Sequence, residues 1–185
     1  MKKINMTNVK EAGEFNRPTA GAYICTITAV EDVPAKEYLK VSYDIAEGEY
    51  KGYYAKTRAE HPDWKWTGAY VKSYKTAALP MFKRFCTAVS RSNGSYVFDG
   101  GAVNADETTL IGKKIGLLFQ DEEYYSNSGD KKMRLIVSRE FSTDKIADQK
   151  TPAPKLLKEE KVMQSPDGFI NIGISDDDES EVPFD

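Results

Sequence analysis

Residues 37–46 alternate in polarity. Leu39, Val41, Tyr43 and Ile45 fall on one face, and Tyr38, Lys40, Ser42 and Asp44 on the other. That period of two predicts a half-buried strand. Residues 22–30, Ala-Tyr-Ile-Cys-Thr-Ile-Thr-Ala-Val, are β-branched and aromatic and predict a strand before it, with a loop around Pro34 between the two. Glu47-Gly48-Glu49 reads as a turn, and residues 50–58 as a third strand returning from it, so the first three strands form a meander. Residues 59–75 read as irregular. Leu79, Phe82, Phe85, Cys86 and Val89 then recur at helical spacing with Lys83, Arg84, Ser90 and Arg91 turned away, Pro80 suits the first turn, and Ser92-Asn93-Gly94 ends the helix. A loop through residues 99–109 leads to a fourth strand, 114–120, with Ile115, Leu117 and Phe119 on one face. Asn127-Ser128-Gly129-Asp130 is a hairpin turn, and the fifth strand, 132–141, aligns Met133, Leu135 and Val137.

The order β-β-β-α-β-β is that of the five-stranded oligonucleotide/oligosaccharide-binding (OB) barrel. The expected class is therefore mainly β: a five-stranded OB-fold-like barrel with one helix and a disordered acidic C-terminal tail. The pattern divides the 185 residues into an N-terminal extension (1–17), one domain (18–148), a linker (149–175) and the tail (176–185). The linker begins near Thr151-Pro152-Ala153-Pro154 and carries a short apolar island at 169–174. No internal repeat is present. No stretch approaches the ~18 apolar residues of a membrane span, and the polar start lacks the apolar segment of a secretory signal. Together these lead us to expect a cytoplasmic protein that does not enter membranes. Cys25 and Cys86 sit in apolar runs as expected of buried thiols in a reducing compartment. With His61 the sole histidine, a Cys/His zinc site lacks ligands.

Charge changes the picture. The net charge is −3, but six acids and no base lie in residues 176–185. Within the body, residues 51–91 hold nine bases against two acids, a local +7, together with both tryptophans and eight of the chain's 21 aromatic residues. Cations that follow phosphates, interleaved with rings that stack on unpaired bases, suit single-stranded nucleic acid. The candidate DNA-binding residues are Lys51, Tyr53, Lys56, Arg58, Trp64, Lys65, Trp66, Tyr70, Lys72, Tyr74 and Lys75 from this segment. Tyr38 and Lys40 join them from the polar face of the second strand, and Tyr125, Lys131, Lys132 and Arg134 from the hairpin between strands four and five. The alternative for these rings is that they close one end of the barrel. Phe82 and Phe85, on the helix's apolar face, read as core.

Catalytic chemistry finds little support. His61 has no nucleophile signature beside it. Gly112-Lys113 lacks the spacing of a phosphate loop. Glu122 and Glu123 are adjacent and diverge on a strand, and the acidic run lacks the spaced ligands of a calcium loop. No enzyme activity, cofactor or metal is expected.

Several stretches resemble a family of small replication-associated proteins of phages and mobile elements in Gram-positive bacteria. They are Leu110-Ile111-Gly112-Lys113-Lys114-Ile115-Gly116, then Glu122-Glu123-Tyr124-Tyr125-Ser126-Asn127-Ser128-Gly129, and Phe141-Ser142-Thr143-Asp144-Lys145-Ile146. Gly21-Ala22-Tyr23-Ile24-Cys25-Thr26-Ile27 and Glu47-Gly48-Glu49-Tyr50-Lys51-Gly52-Tyr53-Tyr54 share the resemblance, which covers roughly residues 18–148. It implies an OB-like single-stranded DNA-binding protein of DNA replication or recombination. The C-terminus, with Asp176, Asp177, Asp178, Glu179, Glu181, Pro183 and Phe184, resembles the acidic partner-binding tail of bacterial single-strand-binding proteins. Their tail ends in Phe, whereas Asp185 follows it here. The expected partners are single-stranded DNA and, through the tail, replication or recombination proteins; self-association is compatible with this reading. The other readings are a strand-annealing accessory, an adaptor that recruits replication proteins without binding DNA, and, least favoured, a nuclease.

Overall fold

The structure, a computed structural model, describes Lys3 and residues 17–157. The apolar island at 169–174 and the acidic run with its closing Val182-Pro183-Phe184-Asp185 lie outside the described residues, as does most of the N-terminal extension. Five antiparallel strands form one sheet: β1 (Gly21–Val33), β2 (Tyr38–Ile45), β3 (Ala69–Ser73), β4 (Lys114–Tyr125) and β5 (Lys131–Phe141), in the order β3-β2-β1-β4-β5. The protein is mainly β, as the alternation predicts. β1 is long enough to serve two partners. Its first half pairs with β4, from Gly21↔Phe119 to Thr26↔Lys114, and its second half with β2, down to Val33↔Tyr38. The pairing with β2 slips between Ile27 and Ala29, a bulge of the kind that bends a strand between two neighbours.

The inward face carries the core. Cys25, Ile27, Leu39, Val41, Tyr43, Ile45, Ile115, Leu117 and Phe119 are buried along the strands. The main helix, α2 (Leu79–Ser92), lays Phe82, Phe85, Cys86 and Val89 against them, the face its spacing predicts. Asn93 ends the helix and fixes the start of β4: its Nδ2 donates to the carbonyls of Val89 (2.7 Å) and Lys114 (2.8 Å), and its Oδ1 accepts from the Lys114 amide at 2.9 Å.

Residues 50–58 do not form the third strand. They form a turn and a two-turn helix, α1 (Tyr53–Glu60), and the third strand is β3, inside the stretch expected to be irregular. The cause lies ten residues upstream. Asp44 accepts the amides of Tyr54 and Ala55, each at 3.1 Å, and of Ile45 at 2.8 Å. A carboxylate from β2 thus satisfies the unpaired donors of the first turn of α1, where negative charge is favoured. Gly48 and Gly52, at φ 84° and 70°, make the left-handed turns that bring the chain back to it. β3 escapes recognition because its polarity is inverted: Tyr70 and Lys72 point inward, while Val71, paired with Lys40, points out and is 47% exposed.

The C-terminal stretch expected to be linker from residue 149 is in part bound to the domain. Lys155 makes a parallel bridge opposite Glu122, with the Lys155 amide donating to the Asp121 carbonyl and the Glu123 amide to the Lys155 carbonyl, both at 2.8 Å. Gln120 Nε2 donates to the Ala153 carbonyl at 2.7 Å. This strap occupies the edge of β4 that β1, whose pairing stops at Phe119, leaves open.

Candidate nucleic-acid interface

The register sorts the candidate residues into three groups. β2 starts at Tyr38 beside the end of β1 and finishes at Ile45 beside Cys25. α1 follows β2, so α1 and the loop after it lie at the end of the sheet where β1 begins. The outer half of the β4–β5 hairpin, from Gln120 to Ile136, projects past that same end. Tyr38 and Lys40 lie toward the other end; the six residue steps from Tyr38 to Asp44 span roughly 20 Å.

The first group is α1 and its loop. Lys51, Lys56, Arg58, Trp64 and Lys65 are exposed. Arg58 Nη1 donates to the Trp64 carbonyl, and His61 stacks on Trp64 with ring centroids 3.9 Å apart and planes within 10°. The His61 stack holds the indole on the surface, where Trp64 is 48% exposed. Among the described residues, Lys51, Lys56 and Lys65 form no ion pair. The Trp66 ring packs toward the core against Tyr54 (6.1 Å), and its Nε1 donates to the Gly68 carbonyl at 2.8 Å.

Gly68 anchors this loop. Its carbonyl also accepts the Tyr43 amide at 2.7 Å. A Cβ at Gly68 would fall 2.6 Å from the Tyr43 carbonyl oxygen and 2.8 Å from the Tyr54 ring. Gly68→Ala is therefore expected to destabilise the protein by ~1–3 kcal/mol through overpacking. It should also loosen the Trp66 anchor, which a red shift of tryptophan emission in the still-folded variant would report. Unchanged stability and emission would show that the backbone accommodates the methyl group.

Most other rings of this segment are structural, the end-closing role weighed as their alternative. Tyr23, Tyr43, Tyr50, Tyr53, Tyr54, Tyr70 and Phe119 form a continuous set of edge-on, tilted and stacked contacts with centroids 4.9–6.4 Å apart. Burial pushes the Tyr54 hydroxyl up to about 12 and holds the Tyr70 hydroxyl well above its ordinary value. Tyr53, half-buried, belongs to this packing through α1 and not to a strand face.

Tyr70 and Lys72, two of the candidate residues, do not lie on the outward face of β3. Both point inside from β3, and Lys72 Nζ lies 2.7 Å from Glu140 on β5, with side chains 10% and 2% exposed. Arg84 of α2 approaches the same carboxylate at 3.5 Å. Tyr74 is also committed, donating its hydroxyl to Asp32 at 2.8 Å and packing edge-on against Phe82.

The second group is the polar face of β2, where Tyr38 is half-buried and Lys40 is exposed 3.6 Å from Glu31. Lys75, exposed just past β3, lies at this end.

The third group is the hairpin. Tyr124, Lys132 and Arg134 share a face with Glu122; Tyr125 and Lys131 share the opposite one. Arg134 is held by Glu122 at 2.6 Å, beside Lys155 on the same carboxylate, with its guanidinium 5.1 Å from the Tyr124 ring centre. Lys131 lies 3.9 Å from Glu123. Tyr125, 59% exposed, and Lys132 are the hairpin residues left to meet a ligand.

Sequence reasoning missed the Glu140 carboxylate that consumes Lys72, and the strap lysine, Lys155, that shares Glu122 with Arg134. Neither has a local signal, because both contacts join segments far apart in sequence.

Among the described residues, no group of three or more His, Cys, Asp or Glu side chains is placed to hold a metal ion, and no helix is long and apolar enough to cross a membrane. No protein-family model matches the chain, and no curated protein matches it.

Proposed function

We propose that the chain binds single-stranded DNA without catalysing a reaction, through the surface formed by α1, its following loop and the tip of the β4–β5 hairpin. The observation that carries this reading is Trp64, a half-exposed indole stacked on His61 in a segment with exposed Lys51, Lys56 and Lys65. A large ring held at the surface offers a stacking face at little entropic cost, and the ammonium groups around it meet the phosphates. Tyr125 and Lys132 supply the same pair of chemistries from the hairpin.

The OB-like barrel belongs to this reading. The edge strands β3 and β5 are drawn together by the Lys72–Glu140 ion pair, and α2 packs against both. A sheet curled in this way brings the strand face and hairpin loops to one side, the arrangement that OB folds use for oligonucleotides. Replication or recombination of a phage or mobile element is the setting that the sequence resemblance suggests.

The test is fluorescence. Adding a single-stranded oligonucleotide should quench tryptophan emission, and Trp64→Ala should weaken binding by about 1–3 kcal/mol, roughly 5- to 150-fold, in a folded protein. Trp66→Phe, which keeps an inward-packed ring, should leave affinity within about twofold. A folded Trp64→Ala protein with unchanged affinity removes the basis of the proposal and favours the adaptor reading.

A further inference from the structure

A groove of about 520 Å³ runs along the outer side of α2, against residues 97–99. Its walls are Leu79, Phe82, Cys86, Val97 and Phe98, and Leu79 and Val97 are nearly half exposed, at 48% and 44%. Lys83 and Arg91 line it from α2, both exposed and, among the described residues, without an ion-pair partner. One carboxylate, Asp99, also lines the groove. It accepts the amides of Gly101, Val103 and Asn104 at 3.0–3.3 Å, and these donors hold its pKa below the ordinary carboxylate range. Its charge is spread into the 99–104 loop.

The groove thus asks for an apolar side chain or two flanked by negative charge. The chain contains such a segment in Asp176-Asp177-Asp178-Glu179-Ser180-Glu181-Val182-Pro183-Phe184-Asp185. We infer that the C-terminal ten residues dock in this groove of their own chain, with Val182 and Phe184 against Leu79, Phe82 and Val97, and the acids facing Lys83 and Arg91. The length of chain beyond the strap permits it. Leu157, whose amide donates to Glu123 at 3.1 Å, is the last described residue. The 25 residues from there to Val182 span up to roughly 80–90 Å when extended. A domain of about 140 residues has a radius of gyration near 14 Å, so every face of it is within reach. Tethering supplies an effective concentration in the millimolar range, so a weak groove suffices. Pro183 favours an extended segment, which suits an open groove beside a helix.

The groove is distinct from the Trp64 surface, and its occupant is peptide. The tail would therefore be sequestered without competing directly for DNA.

The test is photo-crosslinking in the full-length protein carrying Phe184→p-benzoylphenylalanine. Mass spectrometry should place intramolecular cross-links in residues 79–91 and 97–99, with a yield unchanged on tenfold dilution. Lys83→Glu combined with Arg91→Glu, both at exposed positions, should lower that yield at least about fivefold at low salt, where the charges act unscreened. Lys56→Glu should leave it unchanged. Cross-links to α1 or its loop, cross-links that vanish on dilution, or none above the level seen in the urea-unfolded protein would each overturn the inference.

Discussion

Replacing Glu140 by leucine is expected to cost ~3–5 kcal/mol of stability, read as a lower midpoint of urea unfolding. Removing one member of a buried pair strands the other charge away from water. Here the stranded group is Lys72, whose side chain is 10% exposed and lies 2.7 Å from the carboxylate. Arg84, 3.5 Å from the same carboxylate, loses its partner as well, but at 45% exposure it can turn to water. The double replacement Lys72→Met with Glu140→Leu should recover most of the loss, because two apolar groups of similar volume need no solvation. The coupling between the sites should then exceed about 2 kcal/mol in a double-mutant cycle. A single-variant cost under about 1 kcal/mol would mean that the pair does not join β3 to β5 in solution.

The second large effect is on binding. Should Lys51, Lys56, Lys65 and Lys132 each neutralise one phosphate, the log–log salt slope for single-stranded DNA is about −2.8, and affinity falls roughly 50-fold between 50 and 200 mM salt. Reversing Lys51, Lys56 and Lys65 to glutamate leaves at most one of these contacts. The same salt step should then change affinity by only about two- to threefold, and binding at 50 mM salt should drop at least about tenfold. All three side chains are exposed, so the variant should fold normally. A wild-type slope near zero contradicts binding through phosphates. A steep slope that survives the triple reversal moves the interface elsewhere, with the Lys40 and Lys75 end of the sheet the next place to look.

Much of the fold was legible because alternation is a local signal. Leu39, Val41, Tyr43 and Ile45, the α2 stripe from Phe82 to Val89, and Ile115, Leu117 and Phe119 of β4 are buried as the pattern assigns them, whereas Leu79 and Met133, assigned to the same inward faces, are 48% and 38% exposed, and Leu135 and Val137 are only partly buried. The errors fall where a distant group decides a local conformation. Two consecutive tyrosines favour a strand at residues 53 and 54, but Asp44 rewards a helix there. β3 was hidden because Lys72, a charge on the inward face, looks like a surface residue until Glu140 is brought beside it by the sheet. The candidate site shows the same division. Composition located the basic, aromatic segment, but could not say which rings and cations face outward. Trp64 and Trp66, two residues apart, have different environments: one stacks on His61 at the surface, and the other is tied to the Gly68 carbonyl and packs on the core.

The strap formed by residues 153–157 bears on how an edge of the sheet is covered. Past Phe119, β4 has no neighbour on the side away from β5 other than this segment among the described residues. An uncovered strand edge is a template for pairing with another chain. Lys155 covers the edge with its backbone and places its ammonium 2.8 Å from Glu122, which pins a charge where a second molecule would have to zip on. A chain cut at residue 148, where periodicity fades and a boundary looks natural, keeps every strand of the sheet but loses this guard. What reads as the start of a linker is therefore the segment that covers this edge of the sheet.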